Sequence, residues 1–206
     1  MTVETWFAFV IVWTAFVAFP GPNAVYAMAV GSRRGSTAAG AAAAGFAFAV
    51  AVYVSLVALG LIAFLAASAA AFEALRWFGV GYLFWLAWQA WRSDPDTLDE
   101  SGLNVPEAGG IFSRAALISL TNPKSALAYV LVYPPFLTGG AAFNHDLLIL
   151  GLTSVALSFL VYTLYGAGAG RLGRLIRSRR QALVRNRCFA VIFAAGGAAL
   201  AIAEHR

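Results

Sequence analysis

Six apolar stretches, each near the length that crosses a bilayer, govern what this chain can fold into. They cover residues 6–29, 38–67, 72–91, 112–137, 147–168 and 187–203. About 20 consecutive apolar residues span the hydrocarbon core as a helix. Of the whole sequence, 61% is hydrophobic and 11% charged. A soluble fold of that make-up would expose too much apolar surface to stay monomeric. The expectation is an all-α membrane protein with six transmembrane helices and the lipid bilayer as its solvent. The second stretch is long enough to tilt or to extend beyond the membrane. The sixth is short and rich in Gly and Ala.

The basic residues are thirteen Arg and the single Lys124. The arginines lie mostly between the apolar stretches, so they read as orientation signals and not as a nucleic-acid surface. Arg33 and Arg34 fall in the first loop, Arg92 and Arg114 in the third. Arg171, Arg174, Arg177, Arg179, Arg180, Arg185 and Arg187 fall in the fifth. Positive loops stay cytoplasmic. This predicts a multi-pass protein of the bacterial inner membrane with both termini outside. Ala27-Met28-Ala29 fits a small-x-small cleavage pattern. The first turn, however, carries Glu4 and no Lys or Arg, and Pro20-Gly21-Pro22-Asn23 interrupts the run. The first stretch therefore reads as a retained helix. The acidic third loop, about 93–110, reads as a solvated cytoplasmic linker. The chain is then one transmembrane domain, with halves of about 1–92 and 112–206 joined by a linker of about 93–111. Cys188, the single cysteine, reads as a small buried apolar residue near a helix start.

Proline inside a helix removes a backbone hydrogen bond and pushes away the carbonyl four residues earlier. Pro20 is thus predicted to free the carbonyl of Phe16, Pro22 that of Ala18, and Pro123 that of Ser119. Unpaired carbonyls cost several kcal/mol in lipid and persist only where they face protein or water. Residues 19–24 can be laid against residues 120–125, matching Pro22 to Pro123. Each proline lies in the first span of a three-helix half. An odd number of spans forces the second half to run inverted. The fold expectation is two inverted three-helix repeats with broken first and fourth helices. Matched breaks of that kind point to a transporter's binding site.

Lys124 immediately follows the second break. A Lys near the bilayer centre costs roughly 2.5–3.5 kcal/mol or more, and such residues are usually functional. It could hold a substrate carboxylate, take part in proton exchange, or snorkel to the interface. Polar residues recur at helical spacing around it. They are Ser119, Asn122, Ser125, Tyr129 and Tyr133 in the fourth stretch; Ser154, Ser158, Tyr162 and Tyr165 in the fifth; and Tyr82, Trp85 and Gln89 in the third. Glu4, Glu73, Asp146 and Glu204 sit at the ends of stretches, as do His145 and His205. No metal site, carboxylate pair or catalytic triad can be assembled from them in the membrane, so no enzyme and no cofactor is expected. Gly168-Ala169-Gly170-Arg171-Leu172-Gly173 matches the dinucleotide pattern but follows a membrane helix, and is set aside.

The chain resembles the LysE/RhtB family of amino-acid exporters. The resemblance rests on Pro20-Gly21-Pro22-Asn23, on Gly31, Gly35, Gly40 and Gly45, on Gly60-Leu61, and on Gly79 with Tyr82-Leu83. Asn122-Pro123-Lys124 and Pro135-Phe136 complete it. The family implies six helices and export of amino acids or similar metabolites coupled to the proton gradient. Tyr53 stands where many members have His, and Ala87 and Ala115 where Gly is frequent. The expected function is a secondary active exporter of neutral amino acids or derivatives, working by proton-coupled alternating access. Its expected substrate site comprises the break residues Pro20, Gly21, Pro22, Asn23, Asn122, Pro123 and Lys124, with Tyr26, Tyr53 and Tyr129 as walls. The alternatives are an ion or metal-ion exporter on a related scaffold, or a membrane assembly subunit that transports nothing. The small-residue faces 38–44 and 166–170 could mediate a homodimer, although packing within the chain explains them as well.

Overall fold

The computed structural model describes residues 1–19, 21–67, 69–92, 105–137, 142–175 and 179–202. All regular structure among them is helical. The helices are α1 (Val3–Ala18), α2 (Pro22–Arg34), α3 (Ser36–Ala67), α4 (Ala69–Arg92), α5 (Ile111–Thr121), α6 (Pro123–Leu131), α7 (Phe143–Leu175) and α8 (Arg179–Ile202). Short 3-10 turns cover Ala108–Gly110 and Pro134–Phe136. By length and composition α3 over Ser36–Gly60 and α7 over Phe143–Ala169 can each cross a membrane. The pair α1 and α2, bent by 62°, makes a third candidate span. Helix α4, the broken pair α5–α6 and α8 occupy the places of the other three expected spans.

Local chemistry explains where these helices start and stop. Thr2 caps α1, its hydroxyl accepting the amide of Thr5 at 3.2 Å, which satisfies one of the orphan donors of the first turn. Arg33 and Arg34 close the last turn of α2, where cations complement the helix dipole. Gly35 then reverses the chain with φ +85°, a conformation open to glycine and strained for other residues.

The arrangement is reciprocal. α3 packs along α7, and α4 along α8; the broken pair α1–α2 leans on α7, and the broken pair α5–α6 leans on α3. Glycines set the closest crossings. A Cβ on Gly31 would collide with the backbone of Gly166 on α7, and one on Gly166 would collide with Ala39 on α3. A Cβ on Gly45 would strike the carbonyl of Phe112 on α5. Much of each small-residue face is therefore used inside the chain: Ala39, Ala42, Ala43 and Gly166 are buried there.

The polarity is that of a protein whose solvent is lipid. Leu148, Leu152, Phe159, Leu160 and Leu164 of α7, with Phe48, Leu56 and Leu59 of α3, are exposed. Asn23, Ser119, Ser125, Ser154 and Ser158 are buried. Apolar outside and polar inside inverts the usual soluble pattern. Buried Asp146, at the start of α7, pairs with the Met1 amino group at 3.0 Å, while the neighbouring His145 side chain is exposed.

Three expectations need correction. The sixth stretch is not short: α8 runs for 24 residues. Helices α7 and α8 extend through most of the arginine-rich fifth loop, leaving 176–178 between them outside the described residues. Arginines end an apolar stretch without ending a helix, because Arg is itself a good helix former. Cys188 is exposed on α8, not buried. The acidic linker lies outside the described residues from 93 to 104.

Overpacking a close contact typically costs 1–3 kcal/mol, and here backbone opposes backbone. Gly31→Ala should markedly lower the apparent melting temperature of the detergent-solubilised protein. Nothing lies within 4 Å of a Cβ on Gly40, so Gly40→Ala should leave that temperature equal or slightly higher. Thermal unfolding followed by size exclusion checks both.

Candidate functional site

The two breaks share one local plan. Pro22 and Pro123 do not sit inside helices; each is the first residue of a new one. Proline suits that position because its missing N–H has no intrahelical partner there and its φ is already helical. Gly21 and Asn122 precede them as caps, so the aligned segments 19–24 and 120–125 keep one register. The Asn122 side chain accepts the amide of Lys124 at 3.0 Å, whereas Gly21 has no side chain with which to cap α2.

The carbonyls left over at the end of α1 find partners from the second half of the chain. The Lys124 ammonium donates to the carbonyls of Phe16 at 3.2 Å and Phe19 at 3.3 Å. It also sits 4.7 Å from the Phe16 ring centre and 4.6 Å from that of Phe19. The Tyr165 hydroxyl donates to the carbonyl of Ala18 at 2.6 Å. At the second break the Ser119 carbonyl accepts the Asn122 amide at 3.3 Å, Tyr53 donates to the Leu120 carbonyl at 2.7 Å, and Tyr82 donates to the Lys124 carbonyl at 3.1 Å. The helix C-terminus carries partial negative charge, and aromatic faces attract cations. Lys124 is thus held by dipoles and rings. Among the described residues no carboxylate pairs with it.

An amide bridge joins the two breaks. Asn122 Nδ2 donates to Asn23 Oδ1 at 3.5 Å. Asn23 Nδ2 in turn donates to Ser119 Oγ at 3.1 Å and to Tyr162 Oη at 3.4 Å. Between the breaks lies a small cavity with room for roughly one water molecule. The first break lines it with Phe16, Phe19, Gly21, Asn23 and Ala24. The second contributes Asn122, Lys124 and Ser125, and α7 contributes Tyr162.

Of the residues singled out in the sequence, Gly21, Asn23, Asn122 and Lys124 line this cavity. Pro22 and Pro123 begin the helices beside it, and Pro20 lies outside the described residues. The three tyrosines are set back from it. Tyr26 is fully buried, with its ring edge-on to Phe46, and its hydroxyl has no hydrogen-bond partner among the described residues. Tyr53 stacks on Tyr129 at 4.7 Å, and Tyr129 meets Trp13 at 5.1 Å. Phe16, Phe19, Ser125 and Tyr162 were missing from the expected site. Ser125 and Tyr162 carried a signal, since both lie on polar helical stripes. The Phe16 carbonyl was marked by Pro20, but nothing in the apolar run marked either phenylalanine ring.

The chain is similar in sequence to known bacterial efflux and membrane proteins. The profile of the family described as LysE type translocator matches residues 14–204. The homoserine/homoserine lactone efflux protein of Salmonella typhi is 34% identical over the full length of both chains. An uncharacterized membrane protein of Vibrio cholerae is 33% identical over 99% of this chain and all of its own. The leucine efflux protein of Klebsiella pneumoniae is 27% identical over 88% of this chain and 87% of its own. No solved structure matches the chain.

The capping geometry yields a direct test. Asn122→Ala removes the α6 cap and the bridge to Asn23, and loss of a cap costs about 1 kcal/mol. Asn122→Asp keeps the cap acceptor but not the Nδ2 donor. Thermal unfolding in detergent should show Asn122→Ala as the less stable of the two. Equal stability would mean that the cap contributes nothing.

Proposed function

This chain belongs to the LysE type translocator family, and we propose that it exports neutral amino acids or their derivatives from the bacterial cell by alternating access. As a member of that family it is a membrane transporter and not an enzyme. The substrates named for its relatives give the chemical class. Homoserine, homoserine lactone and leucine share an α-amino group on a small carbon skeleton. In this reading the site between the two breaks takes such a compound, with Asn23, Asn122 and Lys124 at its polar end.

The observation that carries the proposal is the placement of Lys124. It is an ammonium at the junction of two broken helices, next to a cavity and without a carboxylate partner among the described residues. A half-buried charge held by dipoles and rings alone is receptive to an anion. A substrate carboxylate, or the carbonyl of a lactone, supplies the missing acceptor. The cavity as it stands is too small for an amino acid, so binding requires the breaks to part. That is the motion alternating access needs.

The same reading assigns six spans: α1–α2, α3, α4, α5–α6, α7 and α8, in two inverted halves. Its support is the shared register of the breaks and the reciprocal packing of each broken pair on the other half's long helix. Both termini face outward. Arg33 and Arg34 end α2, and Arg114 begins α5. Arg187 lies over Trp91 at 5.3 Å, so the start of α8 and the end of α4 form one basic end. Export runs against a gradient and is coupled to protons, with Lys124 the ionisable group at the junction.

Lys124→Met keeps the aliphatic stem and removes the charge. Proteoliposomes carrying it should export labelled homoserine or leucine no faster than protein-free vesicles, with or without an imposed pH gradient. The variant should still purify as a folded species by size exclusion. Wild-type rates from Lys124→Met would refute the role given to the ammonium. Absence of any amino-acid efflux by the wild-type protein would refute the substrate class.

A further inference from the structure

We propose that the C-terminal end of α1 is the subsite for the substrate's amino group, and that the Lys124 ammonium occupies that subsite in this structure. The proposal rests on the export function above and assigns the part of the substrate that the site reads.

The geometry is that of a primary ammonium site. Two carbonyl oxygens, of Phe16 and Phe19, lie 3.2 and 3.3 Å from the nitrogen. Two aromatic faces stand 4.7 and 4.6 Å away. An alkylammonium has three N–H donors and no acceptor. Carbonyls at a helix C-terminus and ring faces attract it without any carboxylate. The α-amino group of an amino acid has the same charge, the same three donors and the same tetrahedral shape as the end of a lysine. A site that holds one can hold the other.

The two cannot be there together. The cavity beside Lys124 has room for roughly one water molecule, and two ammonium groups repel at contact distance. An entering amine therefore displaces Lys124 from the carbonyls. The displaced ammonium, on a flexible four-carbon stem, is then free to meet the carboxylate or carbonyl end of the same substrate. When the substrate leaves, Lys124 returns to the end of α1. The recognition is built from backbone, so a sequence without an acid in mid-span can still select amines. A hydroxyl in place of the amine offers one donor and no charge. It should bind poorly even when the rest of the molecule is unchanged.

The test uses ligand pairs that differ only in the amine. Purified full-length protein in detergent is titrated with homoserine lactone and γ-butyrolactone, then with leucine and 2-hydroxy-4-methylpentanoate, and its melting temperature is followed. The amine member of at least one pair should stabilise the protein, and its amine-free partner should not. Phe19→Leu, which removes a ring face, should weaken the amine's binding about 5-fold, and Phe19→Tyr should restore it. Equal stabilisation by both members of a pair would overturn the subsite. So would stabilisation by neither member of either pair, or undiminished affinity in folded Phe19→Leu. Amine-selective binding without any efflux in vesicles would leave the subsite standing and remove the export function.

Discussion

In hydrocarbon a backbone carbonyl must find a donor inside the protein, and the interruption between α1 and α2 leaves several without one. Each would cost several kcal/mol if it stayed unpaired. The donors come from elements far along the chain: the Lys124 ammonium from α6 and the Tyr165 hydroxyl from α7. Lys124 has the complementary difficulty, since a buried ammonium needs acceptors. Each liability is the other's remedy. The broken first span is tenable because the second half of the chain delivers a cation to it, and the cation is tenable because the span is broken.

This dependence ties the halves together at one point and distinguishes them there. The two breaks are built alike, with a cap at 21 and 122 and a proline at 22 and 123. The next residue differs, Asn23 in one half and Lys124 in the other. Asn23 is satisfied by neighbours of its own kind, through Asn122, Ser119 and Tyr162. Lys124 reaches across to the opposite break. A symmetric pair of lysines would place two positive charges in one small cavity, and a symmetric pair of asparagines would leave the α1 carbonyls with a weaker, uncharged donor.

Much of this was legible from residue types alone, because the constraints are local and severe. Prolines in apolar runs mark breaks, and a lone Lys in such a run marks a site. The carbonyls of Phe16 and Ala18 were predicted to be orphaned, and these are the ones that receive Lys124 and Tyr165. What the sequence hid was pairing across distance. Lys124 suggested a substrate carboxylate, but its partners here are two backbone carbonyls, of which only that of Phe16 was marked by a proline four residues on. Gly31 could be marked, though not its opposite number Gly166 on α7. Phe16 and Phe19 look like any apolar residues until the ammonium lies over them. The start of α8 was misplaced because hydropathy follows arginine side chains while the helix follows the backbone.

The contacts around the cavity are also unequal in kind, which bears on the opening that the proposed alternating access requires. Between α2, α3 and α7 the approach is glycine and alanine against backbone, at Gly31, Gly166 and Ala39. Such contacts leave no slack, since nothing between the helices can turn aside. Between α1 and the segment from α6 through the 3-10 turn the space is filled by rings: Trp13 against Tyr129 and Tyr133, and Phe9 against Tyr133 and Phe136, with centres 5.1 to 5.4 Å apart. Rings can change rotamer while the helices stay in place. Among the described residues the buried Trp13 indole N–H has no hydrogen-bond partner, so moving it breaks no hydrogen bond there. Packed cores tend to switch between discrete arrangements rather than deform gradually. The ring-filled side is where a second arrangement costs least. Motion there also separates α1 from α6, the two helices that Lys124 holds together.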